Sequence, residues 1–357
     1  MCIILFLLLF CTFQATAQTA VPFNSPRWKF KTGAPVQETH LGKPAIKLVR
    51  NMALLEDADF RNGIIEFDIA LAKDRYFPAI NFRMQDSANY EHYYVRPHQS
   101  GNPDAMQYSP VYNGMAGWQL YHGPGYSNAR ALPFDRWLHI KMLVHERQAE
   151  VYFDNDAEPV LFIRRLKRDA ASGMIALVND APVPAWYANF AYTNTDKVNI
   201  KSQVKPFPPL PAAAITSWLV STPFSEQQVN DKVRLTTADT AALSWQPLQA
   251  DSLGITDLAM LWPVTEQANT VFARMVIPAD KAVTRKLTFG CSDRARVYLN
   301  GQLLYAGEDD FMSRDYRFLG TVGLFDALYL PLQAGRNELW IAVSEDFGGW
   351  GIKAKLE

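Results

Sequence analysis

From residue 18 onward the apolar positions fall in short alternating runs rich in Val, Ile, Tyr and Phe, broken by Gly, Asn, Asp and Pro. No long stretch keeps the 3.6-residue period of a helix that buries one face. A period of two places alternate side chains on opposite faces of a strand. It predicts strands at 45–49, 63–71, 79–84, 89–96, 137–145, 149–154, 173–178 and 186–193 in the first half. In the second half it predicts strands at 218–220, 271–277, 285–290, 295–299, 302–305, 327–332, 337–343 and 351–356. Many short strands at even spacing predict an all-β fold, here two β-sandwich (jelly-roll) domains in tandem. Asn300-Gly301 is the strongest hairpin signal, since both residues tolerate positive φ, and a second hairpin is expected around Arg147 and Gln148.

A chain of 357 residues exceeds one ordinary core, so two domains are expected. The strand pattern stops between residues 199 and 217. Within that gap Lys205-Pro206-Phe207-Pro208-Pro209-Leu210-Pro211 is stiff, extended and poor in backbone donors. It reads as a linker between a sandwich at 18–198 and another at 218–357. Val151-Tyr152-Phe153-Asp154 and Val297-Tyr298-Leu299-Asn300 look alike, but their flanks do not, so they are similar hairpins and not a repeat.

Residues 1–13 are almost wholly apolar, and Ala15-Thr16-Ala17 offers small residues where a signal peptidase reads. This predicts a signal peptide over 1–17, and a secreted, periplasmic or cell-surface protein. A membrane anchor competes, but the run is shorter than the roughly 20 residues a spanning helix needs. Acylation at Cys11 is disfavoured by Phe10, where a small residue is wanted. No later segment could span a membrane. Of three cysteines, only Cys291 remains after cleavage, so no internal disulfide is expected. The formal net charge of −1 gives no field that favours nucleic acid or an anionic membrane. It suits a neutral, hydroxylated ligand better.

The densest chemistry lies between Ile80 and Tyr126. It includes Asn81, Arg83, Tyr90, Glu91, His92, Tyr94, Arg96, His98, Asp104, Gln107, Tyr108, Asn113 and Trp118. Aromatic faces take the C–H side of a pyranose, and planar polar side chains take its hydroxyls. Along 89–96, alternation puts Tyr90, His92, Tyr94 and Arg96 on one face and Glu91, Tyr93 and Val95 on the other. Asn81 and Arg83 are expected to share a face on the preceding strand. A polar, aromatic sheet face opposite an apolar one is the pattern of a concave ligand-binding sheet, with the loop at 97–104 over one edge. Asn81, Arg83, His92, Tyr94, Arg96, Asp104, Gln107, Tyr108, Asn113 and Trp118 are the candidate ligand-binding residues. The competing reading for any one of them is surface or packing.

Glycoside hydrolysis ordinarily uses two facing carboxylates. Glu66-Phe67-Asp68-Ile69-Ala70-Leu71 begins like a glucanase strand but ends on Leu71 where a glutamate is wanted, so Glu66 and Asp68 read as structural. Glu91 is the candidate acid or base, with His92 or His98 as partner. His92, His98 and His122 lack a tight metal-ligand spacing, so no metal is expected. No cofactor is expected either, and a structural calcium held by loop carboxylates stays open. There is no nucleophile elbow, phosphate loop or dinucleotide fingerprint.

Phe60-Arg61-Asn62-Gly63-Ile64-Ile65-Glu66-Phe67-Asp68, Ala79-Ile80-Asn81-Phe82-Arg83, Tyr90-Glu91, Arg136-Trp137-Leu138-His139-Ile140-Lys141, Ala149-Glu150-Val151-Tyr152-Phe153-Asp154 and Ala188-Asn189-Phe190 form one pattern over roughly residues 25–195. It resembles the concanavalin A-like lectin/glucanase superfamily (LamG-like sandwiches), in particular 3-keto-disaccharide hydrolase-like domains. The resemblance implies a sandwich fold and points to Arg83 and Glu91 as site residues. The continuation His92-Tyr93-Tyr94-Val95-Arg96-Pro97-His98 departs from the family, which places a polar residue and an acid there. Leu287-Thr288-Phe289-Gly290-Cys291-Ser292-Asp293, Ala295-Arg296-Val297-Tyr298-Leu299-Asn300-Gly301 and Gly335-Arg336-Asn337-Glu338-Leu339 resemble a galactose-binding-like jelly roll. Ser313-Arg314-Asp315-Tyr316-Arg317 and Phe347-Gly348-Gly349-Trp350-Gly351 are its unusual parts, expected to line a cleft or to pack on the first domain, with Trp350 buried.

Three functions fit these residues. One is an exported carbohydrate-binding protein with its site on the sheet and loops of the first domain. Another is a glycoside or 3-keto-glycoside hydrolase or lyase using Glu91. The third is an envelope protein-interaction module whose tyrosine-rich face resembles a paratope. Carbohydrate is the expected partner and nucleic acid is not; the oligomeric state is open.

Overall fold

The computed structural model describes residues 19–313 and 319–357. The leader at 1–17, with Cys2 and Cys11, and most of the 313–317 run lie outside the described residues. The described chain is nearly all β, and its strand pairings are antiparallel. No helix among the described residues is long and apolar enough to cross a membrane.

Two eight-stranded sheets face each other in the first half. In the first sheet the spatial order is Leu161–Ile163, Gln148–Phe153, Leu138–His145, Gly63–Leu71, Ala185–Asn194, Lys43–Leu48 and Val36–His40, with Thr19–Ala20 also paired to Ala185–Asn194. In the second it is Met115–Ala116, Met106–Tyr112, Asn89–Val95, Ala79–Asp86, Gly173–Asn179, Asn51–Phe60 and Trp28–Phe30, with Ser127–Asn128 beside Met106–Tyr112. Alternation supplies the core. Ile65, Phe67 and Ile69 of the first sheet pack in one buried cluster with Ile80, Phe82 and Tyr93 of the second.

The second half has a six-stranded sheet, ordered Trp245–Gln249, Ser217–Ser221, Thr270–Ala279, Gly335–Ser344, Arg294–Leu299 and Gln302–Glu308. It packs on a four-stranded sheet, Ile255–Asp257, Gly351–Leu356, Val283–Ser292 and Asp326–Leu332. Val271, Ala273 and Ile341 of one meet Leu287, Phe289 and Ile352 of the other. The Asn300-Gly301 turn closes Leu299 onto Gln302 with both residues at positive φ. The other hairpin turns one residue earlier than its sequence signal: His145 pairs with Gln148, so Glu146 and Arg147 make the turn, with Glu146 at φ 49°.

Several strands lie outside those that alternation predicted, and two long ones among them belong to the second sheet of the first domain. Asn51–Phe60 is rich in Ala, Asp, Asn and Glu, poor strand formers, yet it is held by pairing on both sides. Met106–Tyr112 contains Pro110, which argues against a strand in isolation.

The proline-rich stretch is not a free tether. The Lys201 and Ser202 amides donate to the buried Glu150 carboxylate, and the Arg164 guanidinium lies 3.7 Å from the centre of the Phe207 ring. The two sandwiches also meet directly. Loop 117–122 of the first pushes Gln119 wholly into the second. Its amide donates to Gly348 O at 2.9 Å, its carbonyl accepts from Val322 N at 2.9 Å, and its Oε1 accepts from Ser292 Oγ at 2.8 Å. Gly348, at φ 119°, is required here, because a Cβ would stand 2.0 Å from Gln119 Oε1.

Candidate functional site

The strands Asn51–Phe60, Gly173–Asn179, Ala79–Asp86, Asn89–Val95 and Met106–Tyr112 lie side by side, and their pairing fixes which residues share the outer face of the second sheet. One row crosses Leu54, Ala176, Asn81, His92 and Ser109; the next crosses Met52, Val178, Ala79, Tyr94 and Gln107. His92 and Tyr94 thus point away from the core, while Tyr93 and Val95 point into it.

At the centre of the first row, His92 Nδ1 and Asn81 Oδ1 are 2.6 Å apart. The amide oxygen only accepts, so Nδ1 carries the proton and Nε2 of the neutral ring is the acceptor. Burial, reinforced by the Arg96 charge, pushes the imidazole pKa down to about 4, so it stays neutral at physiological pH. Ser109 Oγ, buried opposite His92, has no hydrogen-bond partner among the described residues.

The second row carries a relay that fixes an aromatic rim. Arg96 Nη2 donates to Tyr94 Oη at 2.7 Å, and Tyr94 in turn donates to Gln107 Oε1 at 2.9 Å. Gln107 Nε2 donates to the carbonyls of Trp118 and Tyr121, at 2.8 and 2.7 Å, and so holds the 117–122 loop. The Arg96 guanidinium lies over Tyr94 at 4.8 Å and 5.8 Å from the Trp118 ring centre. Trp118, half-buried, meets Phe347 of the second domain with ring centres 5.8 Å apart, and Phe347 is 62% exposed. Phe77, 44% exposed, flanks Tyr94 on the other side and stands edge-on to His98 at 5.3 Å. Asp104 sits at the edge, 3.7 Å from Arg96.

Asn81, His92, Tyr94, Arg96, Gln107 and Trp118 therefore come together on one surface, with His98 and Asp104 at its margin. The other candidates do not. Arg83 sits at positive φ where the pairing of Ala79–Asp86 slips, and this bulge turns it off the Asn81 face. Its Nε donates to Arg61 O and its Nη2 to Asn62 Oδ1, so it ties a turn. Glu91 is 0% exposed and lies under the sheet; it accepts from Tyr108 Oη at 2.6 Å and from the Arg168 amide at 3.2 Å. Burial pushes its pKa up, against the Tyr108 bond and the Arg83 charge. As a catalytic acid it is misplaced: no ligand on the outer face reaches it, and His92 and His98 point to the opposite side. Tyr108 is likewise internal, accepting from Lys167 N at 2.7 Å. Asn113 is a domain contact, donating to Ala259 O at 2.9 Å. Trp350 is wholly buried and donates to Val343 O.

Sequence reasoning missed Phe77 and the role of Phe347. The Phe347-Gly348-Gly349-Trp350-Gly351 run, expected to line a cleft or to pack on the first domain, does meet the first domain at Gln119 and Trp118. Among the described residues no cluster of three or more His, Cys, Asp or Glu is arranged to hold a metal.

No family model matches this sequence, and no curated protein matches it. Solved structures match at low identity. The carbohydrate binding module CBM66 from Bacillus subtilis is 15% identical, over 48% of this chain and 98% of its own, with a TM-score of 0.36. Domain 4 of AbnA, a GH43 extracellular arabinanase from Geobacillus stearothermophilus solved with arabinotriose, is 13% identical over 50% and 81%, TM-score 0.33. The Bacillus licheniformis β-glucanase is 12% identical over 51% and 100%, TM-score 0.32. Each spans about half of this chain, and at these scores none carries a site or an activity over to it.

Proposed function

We propose that this protein is an exported carbohydrate-binding protein that holds a neutral sugar on the outer face of its second sheet, between Phe77, His92 and Trp118. The observation that carries the reading is the pairing of open aromatic faces with uncharged polar groups that have hydrogen-bonding capacity left. Phe77 and Phe347 offer exposed flat surface, and Trp118 lies half-buried between Arg96 and Phe347. His92 Nε2 offers an acceptor. Neither His92 nor Asn81 carries a charge that a neutral ligand would have to desolvate.

Binding without hydrolysis follows from the placement of the acids. A glycosidase needs carboxylates on both sides of the bond, and Glu91 lies behind the sheet. Export follows from the apolar leader. A concanavalin A-like first domain and a galactose-binding-like second domain are the family reading that fits this arrangement.

The test is a titration of the full chain against a panel of neutral oligosaccharides, followed by tryptophan fluorescence, with product analysis after long incubation. Saturable quenching without cleavage is expected. Absence of binding to every neutral glycan at millimolar concentration would remove the reading, and release of reducing ends would replace it with the hydrolase.

A further inference from the structure

Loop 117–122 divides the surface between the domains. On the side away from His92 lies a cavity of about 190 Å³, roomy enough for a single sugar ring. The first domain lines it with Tyr112, Tyr121, Arg147, Arg165 and Lys167, and the second with Gln249, Asp251, Asp257 and Met260 among others. None of these groups belongs to the outer face described above.

We infer that this cleft is a second binding site, for a carboxylate-bearing sugar of uronic acid type. Three cations converge on it against two carboxylates. Lys167 is buried and paired with Asp251 at 2.5 Å. Asp257, also buried, accepts from the Ala259 amide and from Tyr121 Oη at 3.3 Å; burial lifts its pKa to about 7, so much of its charge is absent near neutrality. Arg147 pairs with Asp169 at 3.2 Å, outside the lining, and donates to Lys167 O, which leaves Arg165 as the cation without a carboxylate partner among the described residues. The Arg147 Nε–H is buried and without a hydrogen-bond partner among the described residues. Arg165 is exposed at the cavity wall, and its charge acts unfavourably on Lys167.

A ligand carboxylate placed between these groups supplies the missing acceptor and relieves the repulsion, with the forked geometry that guanidinium groups favour. Gln249, exposed and donating through Nε2 to Ser217 Oγ, keeps its Oε1 to accept from a sugar hydroxyl. A crevice between domains is also where small-molecule sites preferentially form. The inference is independent of the outer-face site, because the two surfaces share no side chain.

Calorimetric titration of the full chain with glucuronate and galacturonate, beside glucose and galactose at equal ionic strength, tests it. The uronates should bind at least about tenfold more tightly than their neutral parents, as loss of a charge-assisted hydrogen bond implies. Arg165→Gln should weaken uronate binding about tenfold with an unchanged melting temperature, and leave neutral oligosaccharide binding untouched. Arg147→Gln should do the same to the uronates through the second guanidinium. Equal affinity for acidic and neutral sugars, no uronate binding at all, or parental uronate binding in both variants would overturn the proposal.

Discussion

The outer faces of the two sheets in the first domain are built from similar residue types and end in opposite states. On the first sheet, Glu66 and Asp68 project beside Lys43, His139 and Lys141. Asp68 accepts from Lys43 at 2.5 Å, from His139 at 2.7 Å and from Asn189 at 2.7 Å, and Glu66 pairs with Lys141 at 3.2 Å. The aromatic groups there are occupied too. His40 stacks on Trp186 at 3.9 Å, and Lys47 and Lys43 lie over Trp186 and Trp137. On the second sheet the polar centre is the uncharged His92–Asn81 pair, and Phe77 and Phe347 are left exposed beside the half-buried Trp118. The first face carries two acids, two histidines and two tryptophans, a composition that an active site could also have. Valence decides otherwise: a face whose donors, acceptors and rings already satisfy one another has little left to offer a ligand.

The sharpest way to break this contrast is Trp118→Ala. Loss of its ring should weaken neutral-sugar binding ten- to hundredfold, about 1.5–3 kcal/mol, measured by titration. Trp186→Ala on the other face should leave affinity unchanged; equal losses would dissolve the distinction.

Asp68→Asn should next show that the first face works for stability. Removing a carboxylate that three donors share should cost about 1–3 kcal/mol in urea unfolding, with sugar binding intact. A smaller effect should appear with pH. Hydrogen bonds to Asp68 and then Glu66 raise His139 to about 9, while Asp68 itself is held at about 2 because those bonds outweigh its burial. A raised histidine contributes fully below its unfolded value of about 6.5 and loses that contribution as pH climbs toward 9; the lowered Asp68 loses its own only below about 4. Stability from this network should therefore peak between about pH 4 and 6.5 and decline toward 9, by about 1 kcal/mol or less given solvent screening at the half-exposed ring. Melting curves of His139→Gln should lack that decline.

The smallest effect belongs to Glu91→Gln. An isosteric amide in place of a carboxyl whose pKa burial has raised should shift stability by less than about 1 kcal/mol and leave binding unchanged. A large loss of sugar turnover in that variant would restore the catalytic role that the position under the sheet denies it.

Much of this was legible in the chain. Period-two alternation placed His92 and Tyr94 opposite Tyr93 and Val95, because a strand leaves a side chain only two directions. The same rule failed for Arg83, one bulge beyond Asn81, since a single slipped residue reverses every facing after it. It failed for Asn51–Phe60 because pairing partners, not propensity, hold that strand extended. Glu91 looked catalytic by residue type, and burial, which sequence does not report, turned it into an anchor for the Arg168 amide. Phe347 is far from Trp118 in sequence and next to it in space, and no local pattern encodes such a meeting.

The seating of Gln119 against Gly348 has a kinetic consequence. Phe347 hangs from the residue that receives the Gln119 amide, so its spacing from Trp118 is set before any ligand arrives. A hinged pair of domains would have to swing shut around a sugar, adding a slow isomerisation after encounter. Here the rim is already assembled, and association should be a single bimolecular event whose observed rate rises in proportion to ligand concentration, without the plateau that domain closure imposes.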